Sequence, residues 1–227
     1  MIIEAISDSL EDAKIAQSAG ADRIELVTGL MEGGLTPSYG LIRSVCSELT
    51  IPVNVMIRPH SRSFCYSDED LNIMLEDIEI CRKLGAAGVV FGVLTNEKKI
   101  DEEKLTKLIQ ASKGLDITFH RAFDEANHLA TALGVLQKYP EITRVLTSGS
   151  KDKATEAIEE LSQLADLSAG TGLSIMAGSG LTPQNLPAFL EKVNVREVHF
   201  GSGIRFESSY MNPIDPNKLK AIRKIVS

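Results

Sequence analysis

The run Ile-Thr-Phe-His-Arg-Ala-Phe-Asp at 117–124 ends an apolar segment on a histidine and an arginine. In an extended strand Ile117 and Phe119 share one face, and Thr118 and His120 share the other. His120 thus turns away from the apolar side and is followed by Arg121, with Asp124 three residues on. Imidazole, guanidinium and carboxylate together suit binding of an anion and proton transfer on it. A histidine hydrogen-bonded in a core, with the arginine on its rim, is the plainer alternative. The same alternation elsewhere turns Glu4 away from Ile3 and Ala5, and Arg23 and Glu25 away from Ile24 and Leu26. It turns Asn54, Met56 and Arg58 away from Val53, Val55 and Ile57, and Glu197 and His199 away from Val198 and Phe200. Five separate runs therefore send Glu4, Glu25, Arg58, His120 and His199 to one side, with Glu4 early enough in its run to serve as a brace for Arg23 or Arg58. Burying that many charges without function is costly, which favours a site.

Three later runs end in glycine and serine: Thr147-Ser148-Gly149-Ser150, Ala177-Gly178-Ser179-Gly180 and Phe200-Gly201-Ser202-Gly203. Such turns let backbone N–H groups approach a phosphate or carboxylate closely, although glycine is also common wherever a strand turns sharply. Arg205 lies just beyond the last of them. The longest connections, 28–36 and 59–67, carry glycines and Glu32 in the first and His60, Arg62, Phe64, Cys65 and Tyr66 in the second.

The elements that must position these groups alternate along the whole chain. Strand-like runs fall at 2–6, 23–27, 53–58, 88–93, 117–121, 144–148, 173–177 and 197–200. Helical periods fall at 10–18, 39–47, 71–84, 102–112, 126–138, 153–167, 185–192 and 218–226. Asp8 with Glu11 and Ser67 with Asp70 have capping-box spacing, and Thr36-Pro37, Thr182-Pro183 and Asp215-Pro216 put a cap before a proline. Gly20 and Gly85 stand where a left-handed residue ends a helix. Eight strand–helix units in 227 residues predict a single-domain (β/α)8 TIM barrel over 1–227. An open doubly wound sheet is disfavoured, because Ser7-Asp8-Ser9 carries no Gly-x-Gly-x-x-Gly after the first strand. In a barrel the functional groups gather at the carboxyl ends of the strands.

The net charge of −7 with no basic block argues against a nucleic-acid partner. No run approaches the length of a membrane span, and the amino terminus lacks a signal-peptide pattern, so the expected location is cytoplasmic. Cys46, Cys65 and Cys81 are odd in number and form no Cys-x-x-Cys, against a disulfide framework or zinc-thiolate site. No lysine ends a strand, which disfavours a Schiff-base aldolase. The first strand has no His-x-His, which disfavours a dinuclear hydrolase site.

Taken in order, Gly20-Ala-Asp-Arg-Ile-Glu-Leu26, Glu32-Gly-Gly-Leu-Thr-Pro-Ser38, Met56-Ile-Arg-Pro59, Phe64-Cys-Tyr-Ser67, Thr118-Phe-His-Arg-Ala-Phe-Asp124, Arg144-Val-Leu-Thr-Ser-Gly149 and the Ala177-Gly-Ser-Gly180 turn resemble the CutC family of copper homeostasis proteins. The resemblance implies a cytoplasmic TIM barrel, a homo-oligomer (dimer or tetramer), and a link to copper tolerance with binding of Cu(I). Copper-binding members often carry cysteine at the ends of the first two strands, where this chain has Ile6 and Val27. Cu(I) prefers thiolate and thioether ligands. The matching motifs leave Cys65 as the metal ligand, with Met31, Met56, His60 or His120 as its companions.

Two readings follow, with a non-catalytic scaffold as the third and weakest. In the first the protein handles Cu(I) through Cys65. In the second it is an enzyme acting on a small phosphorylated or carboxylated metabolite. There Ser148, Gly149, Gly178, Ser179, Gly180, Gly201 and Ser202, with Arg58, hold the anion, and His120 is the acid or base, oriented by Glu25 or Asp124 with Arg121 and His199 nearby. A mononuclear metal on His120, His199 and Glu25 remains a variant of the second.

Overall fold

A computed structural model describes all residues from Met1 to Ser227. Eight parallel strands close on themselves: β1 (Ile2–Ser7), β2 (Arg23–Leu26), β3 (Val53–Met56), β4 (Gly88–Phe91), β5 (Asp116–Phe119), β6 (Ile142–Thr147), β7 (Ser174–Ala177) and β8 (Glu197–Phe200). β8 returns to β1 with Ile2 opposite Glu197 and Glu4 opposite His199. The helices are α1 (Leu10–Ala19), α2 (Tyr39–Glu48), α3 (Asp68–Lys83), α4 (Glu102–Ala111), α5 (Leu129–Leu136), α6 (Ile158–Ser168), α7 (Leu186–Leu190) and α8 (Pro216–Val226). No helix is long and apolar enough to cross a membrane.

The strands read as they do because each is buried on both faces. Their outward residues, among them Ile3, Ile24, Val55, Val89, Phe119, Val145 and Val198, pack with the helices into one continuous core. The inward residues are mixed. Toward the amino ends they are charged, and above that layer Ile6, Val27, Leu30, Met56 and Val90 form a small separate apolar cluster.

Several local expectations need correction. Ser9, not Asp8, caps α1 by accepting the Asp12 N–H. Ser38 caps α2, so Thr36-Pro37 lies outside the helix, and the Thr36 hydroxyl instead accepts the Arg58 N–H at 2.9 Å. Thr182 bonds Asn185 reciprocally, and α7 starts only at Leu186. The 126–138 period shortens to Leu129–Leu136, because 121–125 winds as a 3-10 turn and Ala126 is extended. Likewise 153–167 breaks at Ala157, between a 3-10 turn over Ala154–Glu156 and α6. The Ser67–Asp70 capping box, the Asp215-Pro216 start and the left-handed Gly20 and Gly85 are as expected.

Candidate active site at the barrel mouth

The floor of the barrel is an ionic lattice. Arg23 on β2 bridges Glu4 on β1 and Glu197 on β8, the latter at 2.5 Å. Arg144 on β6 bridges Glu197 at 3.0 Å and Asp116 on β5, and also donates to the Thr118 hydroxyl. Burial opposes the Glu4 charge, but Arg23 and His199 outweigh it and hold the Glu4 carboxyl at about 2. His199 Nδ1 lies 2.9 Å from Glu4 Oε1. Burial disfavours the charged imidazole, yet the carboxylates of Glu25 and Glu4 on either side raise its pKa. Glu4 thus braces Arg23 and His199 from below and does not reach the mouth.

Glu25, one position up β2 from this lattice, is different. It is 1% exposed, Oε2 lies 3.8 Å from His199 Nε2, and Oε1 has no hydrogen-bond partner. Burial pushes its carboxyl up to about 7.

Arg58 follows β3 and is gripped by the loop after β2. Its Nη1 donates to the carbonyls of Glu32 at 3.0 Å and Gly34 at 3.1 Å. Gly33 is left-handed (φ +82°), and a Cβ there would come within 3.2 Å of the same nitrogen. The guanidinium carbon sits 4.7 Å over the Phe64 ring, whose centroid is 4.9 Å from that of His120. Arg58 Nε is left without a partner.

His120 follows β5 and is 3% exposed. Its Nδ1 accepts the Ala122 N–H at 3.2 Å, so the ring proton resides on Nε2, which has no acceptor in the protein. Burial and the Arg58 charge press its pKa down to about 3. His120 is therefore a neutral N–H donor. Gly92 on the neighbouring connection makes room for it, since a Cβ would stand 2.6 Å from Nδ1.

These groups line one cavity of about 350 Å³ at the carboxyl ends of the strands. Glu25, Arg58, His120, Arg121 and His199 share it with Ser179, Gly180, Gly201 and Ser202. The backbone N–H groups of Ser179, Gly180 and Gly203 have no acceptor within the protein, whereas that of Ser202 meets the Tyr210 hydroxyl. The apolar part of the wall comes from Ile6, Leu30, Met31, Met56, Phe64 and Leu146.

Other predicted site residues lie elsewhere, each for a visible reason. Asp124 is spent on the Thr147 hydroxyl, the N–H groups of Ser148 and Ser150, and the Arg121 guanidinium at 2.7 Å. It fixes the turn after β6 and does not orient His120. Ser148 accepts from Arg121 at 2.8 Å and so steadies that side chain from outside the cavity. Gly149 is left-handed and packs on α6, where a Cβ would lie 2.6 Å from that of Ala157. Gly178 is bare because a Cβ would lie 2.6 Å from Leu146 Cδ1 and 3.2 Å from His199 Cβ. Arg205 is an internal strut, bonded to Asp12 at 2.6 Å and to the Asn212 carbonyl.

Tyr210 is a wall of the cavity that strand alternation could not reveal, because it comes from the loop after β8 and crosses Gly201, where any side chain would strike its hydroxyl. The Thr36 clamp on Arg58 was likewise hidden, and the glycines of 28–36 were its only signal.

A model of the CutC family matches residues 1–204. The chain is 43% identical over 206 residues to a CutC family protein of Pasteurella multocida, covering 90% of this chain and 84% of that one. This chain belongs to the CutC family. It is also similar to the crystal structure of a CutC protein from Streptococcus agalactiae, with a TM-score of 0.82 and 33% identity over 88% of this chain and 98% of that one. Phosphoribosylanthranilate isomerase of Thermotoga maritima superposes with a TM-score of 0.66 at 15% identity, covering 99% and 98% of the two chains, and shares the barrel fold alone.

Copper in this CutC-family chain has to be judged from its donors. Cu(I) calls for soft ligands held together. Ile6 and Val27 belong to the apolar cluster with Met56 and Val90, so the first two strand ends offer no thiolate. Cys65 lies away from the barrel mouth, in a shallow groove with His60 and Asp70, and its thiol donates to Asn96 Oδ1 at 3.3 Å. Met31 and Met56 line the other cavity. No three His, Cys, Asp or Glu side chains converge as a metal-binding group. The residues present do not fit a thiolate–thioether centre, and the His120–His199–Glu25 set does not converge on one either.

Proposed function

We propose that this CutC-family barrel binds a small phosphorylated or carboxylated metabolite at its mouth and carries out proton-transfer chemistry on it. The observation that carries the reading is Glu25: a carboxyl almost wholly removed from water, with one oxygen unpartnered, lining a cavity in which Arg58 Nε and His120 Nε2 also lack partners. Native interiors pair such atoms, and a ligand that pairs them accounts for all three at once. Arg58 and the free amides of Ser179 and Gly180 would take the anionic group, and His120 would donate its Nε2 proton to a neutral or developing oxygen. Glu25 replaces His120 as the acid–base group, because His120 stays neutral across the working range of pH. Arg121, steadied by Asp124 and Ser148, supplies a second cation at the rim. With a net charge of −7 and the family's pattern, the chain is expected to work in the cytoplasm as a homo-oligomer, without nucleic acid or membrane.

Thermal shift in inorganic phosphate and in short phosphate esters tests this. A ligand at about a hundred times its Kd should add ~2.7 kcal/mol of stability, and Arg58→Met should remove the shift. No shift with any of these ligands would sink the reading.

The relative from Streptococcus agalactiae is called a copper homeostasis protein, and Cys65 and His60 share a groove, which keeps a role in copper handling as the second reading. Anaerobic Cu(I) titration against a competing chelator decides it. If copper binds there, Cys65→Ser weakens binding at least tenfold; equal affinity of variant and parent removes the site.

A further inference from the structure

The chemistry that the mouth supports is narrower than proton transfer in general, and the argument rests on the anion-binding reading above. The titratable side chains lining the cavity are Glu25, Arg58, His120, Arg121, His199 and Tyr210. Arg58 and Arg121 are permanent cations. His120 has its acceptor nitrogen tied to the Ala122 N–H. His199 is held by Glu4 beneath it. Burial raises the Tyr210 hydroxyl away from ionisation. One base remains, Glu25, sharing with one neutral N–H donor a cavity whose apolar wall includes Ile6, Leu30, Met56 and Leu146.

A dry carboxylate and a neutral imidazole donor lining one cavity are groups that enolising enzymes use: the carboxylate takes a proton from carbon and the imidazole stabilises the enolate oxygen without a competing charge. A single base must also return the proton to the face it came from. That permits transfer between neighbouring carbons, whereas inversion at one carbon needs a second base on the opposite face. The cavity of about 350 Å³ is at the small end for a ligand site, so the substrate is short.

We infer that the mouth catalyses 1,2-proton transfer on a short phosphorylated hydroxy-aldehyde or hydroxy-ketone, interconverting the two, with Glu25 as the only base and His120 as the oxygen donor. Glu25 removes the hydrogen on the carbon next to the carbonyl, and that C–H pair becomes the C=C bond of an enediol while the carbonyl π pair moves onto its oxygen. His120 gives its Nε2 proton to that oxygen and recovers one from the neighbouring hydroxyl. Electrons then return from this second oxygen to make the new carbonyl, and the Glu25 carboxylic acid protonates the former carbonyl carbon. Substrate and product are isomers, and no oxidant, reductant or further reactant is consumed. Arg58 and the amides after β7 anchor the phosphate. The raised Glu25 pKa of about 7 leaves the base and its conjugate acid both populated at neutral pH.

The test incubates the protein in D2O with glyceraldehyde 3-phosphate, dihydroxyacetone phosphate, erythrose 4-phosphate and ribose 5-phosphate, reading by proton NMR the loss of the hydrogen next to the carbonyl and the growth of the isomer. Free phosphate is followed in parallel. Exchange with at least one ester is expected, cut roughly 10²–10⁴-fold in Glu25→Gln and roughly 10²–10³-fold in His120→Phe, each purified identically. Glu25→Asp, which keeps the charge and withdraws it from the substrate, should retain a slow rate and serves if Glu25→Gln fails to fold. Esters that raise the melting temperature without exchange, release of phosphate in place of exchange, or exchange that persists in Glu25→Gln would each overturn the inference while leaving the anion site standing. Failure of every ester to bind would remove both.

Discussion

The floor and the mouth of this barrel use the same side chains, Glu, Arg and His, and treat them in opposite ways. On the floor Arg23, Arg144, Glu4, Glu197 and Asp116 each meet an opposite charge, with Asn54 Oδ1 the one oxygen left over. At the mouth Glu25 Oε1, Arg58 Nε and His120 Nε2 face one cavity without partners. The pKa values follow suit: partners hold Glu4 down at about 2, and burial drives Glu25 up to about 7. Residue type therefore does not separate scaffold from site here. Satisfaction does.

The largest effect should come from breaking the floor. Arg23→Met leaves Glu4 and Glu197 buried with fewer partners, and removing one member of a buried pair typically costs about 3–5 kcal/mol. Urea denaturation should show a loss of that size; a loss under about 1 kcal/mol would mean that the lattice contributes little.

Second in size is a pH effect at Glu25, faced by His199, Glu4 and Arg23. Its folded pKa of about 7 stands above the ordinary carboxylate value of 4.5, so the unfolded chain releases this proton first. Stability is therefore lost as pH rises from 4.5 to 7 and is flat for this group above that. Glu25→Gln lacks the loss and should gain up to about 3 kcal/mol on the parent between these two values of pH. A difference that does not change with pH would place Glu25 with the satisfied carboxylates of the floor.

The smallest effect is at Arg58. Arg58→Met gives up two hydrogen bonds to loop carbonyls and leaves no carboxylate stranded, so unfolding stability should fall by only about 1 kcal/mol. A loss as large as that of Arg23→Met would make Arg58 a structural strut and erase the contrast.

Much of this was legible in the chain itself. Period-two alternation named the inward residues Glu4, Glu25, Arg58, His120 and His199, and the recurrent helix–glycine–strand order announced the barrel. Alternation says which way a side chain points and nothing about how far up the barrel it stands or what meets it. Glu4 and Glu25 share an alternation and differ by their register along the barrel axis, which the pairing of β1 with β2 fixes by setting Glu4 opposite Arg23 and Glu25 opposite Ile6. Asp124 and Arg121 looked like members of one catalytic group with His120. The 3-10 turn over 121–125 instead points Asp124 at the β6 turn. Cys65 sat in a motif of the family, but its loop faces a different groove.

The most direct test is a titration of the Glu25 side-chain carbon by carbon-13 NMR, with Glu4 followed in the same spectra. Glu25 should titrate near 7 while Glu4 stays ionised down to about 2. A Glu25 carboxyl that titrates at or below 4.5 would mean that its charge is already satisfied within the protein, and the mouth would then be one more piece of the floor.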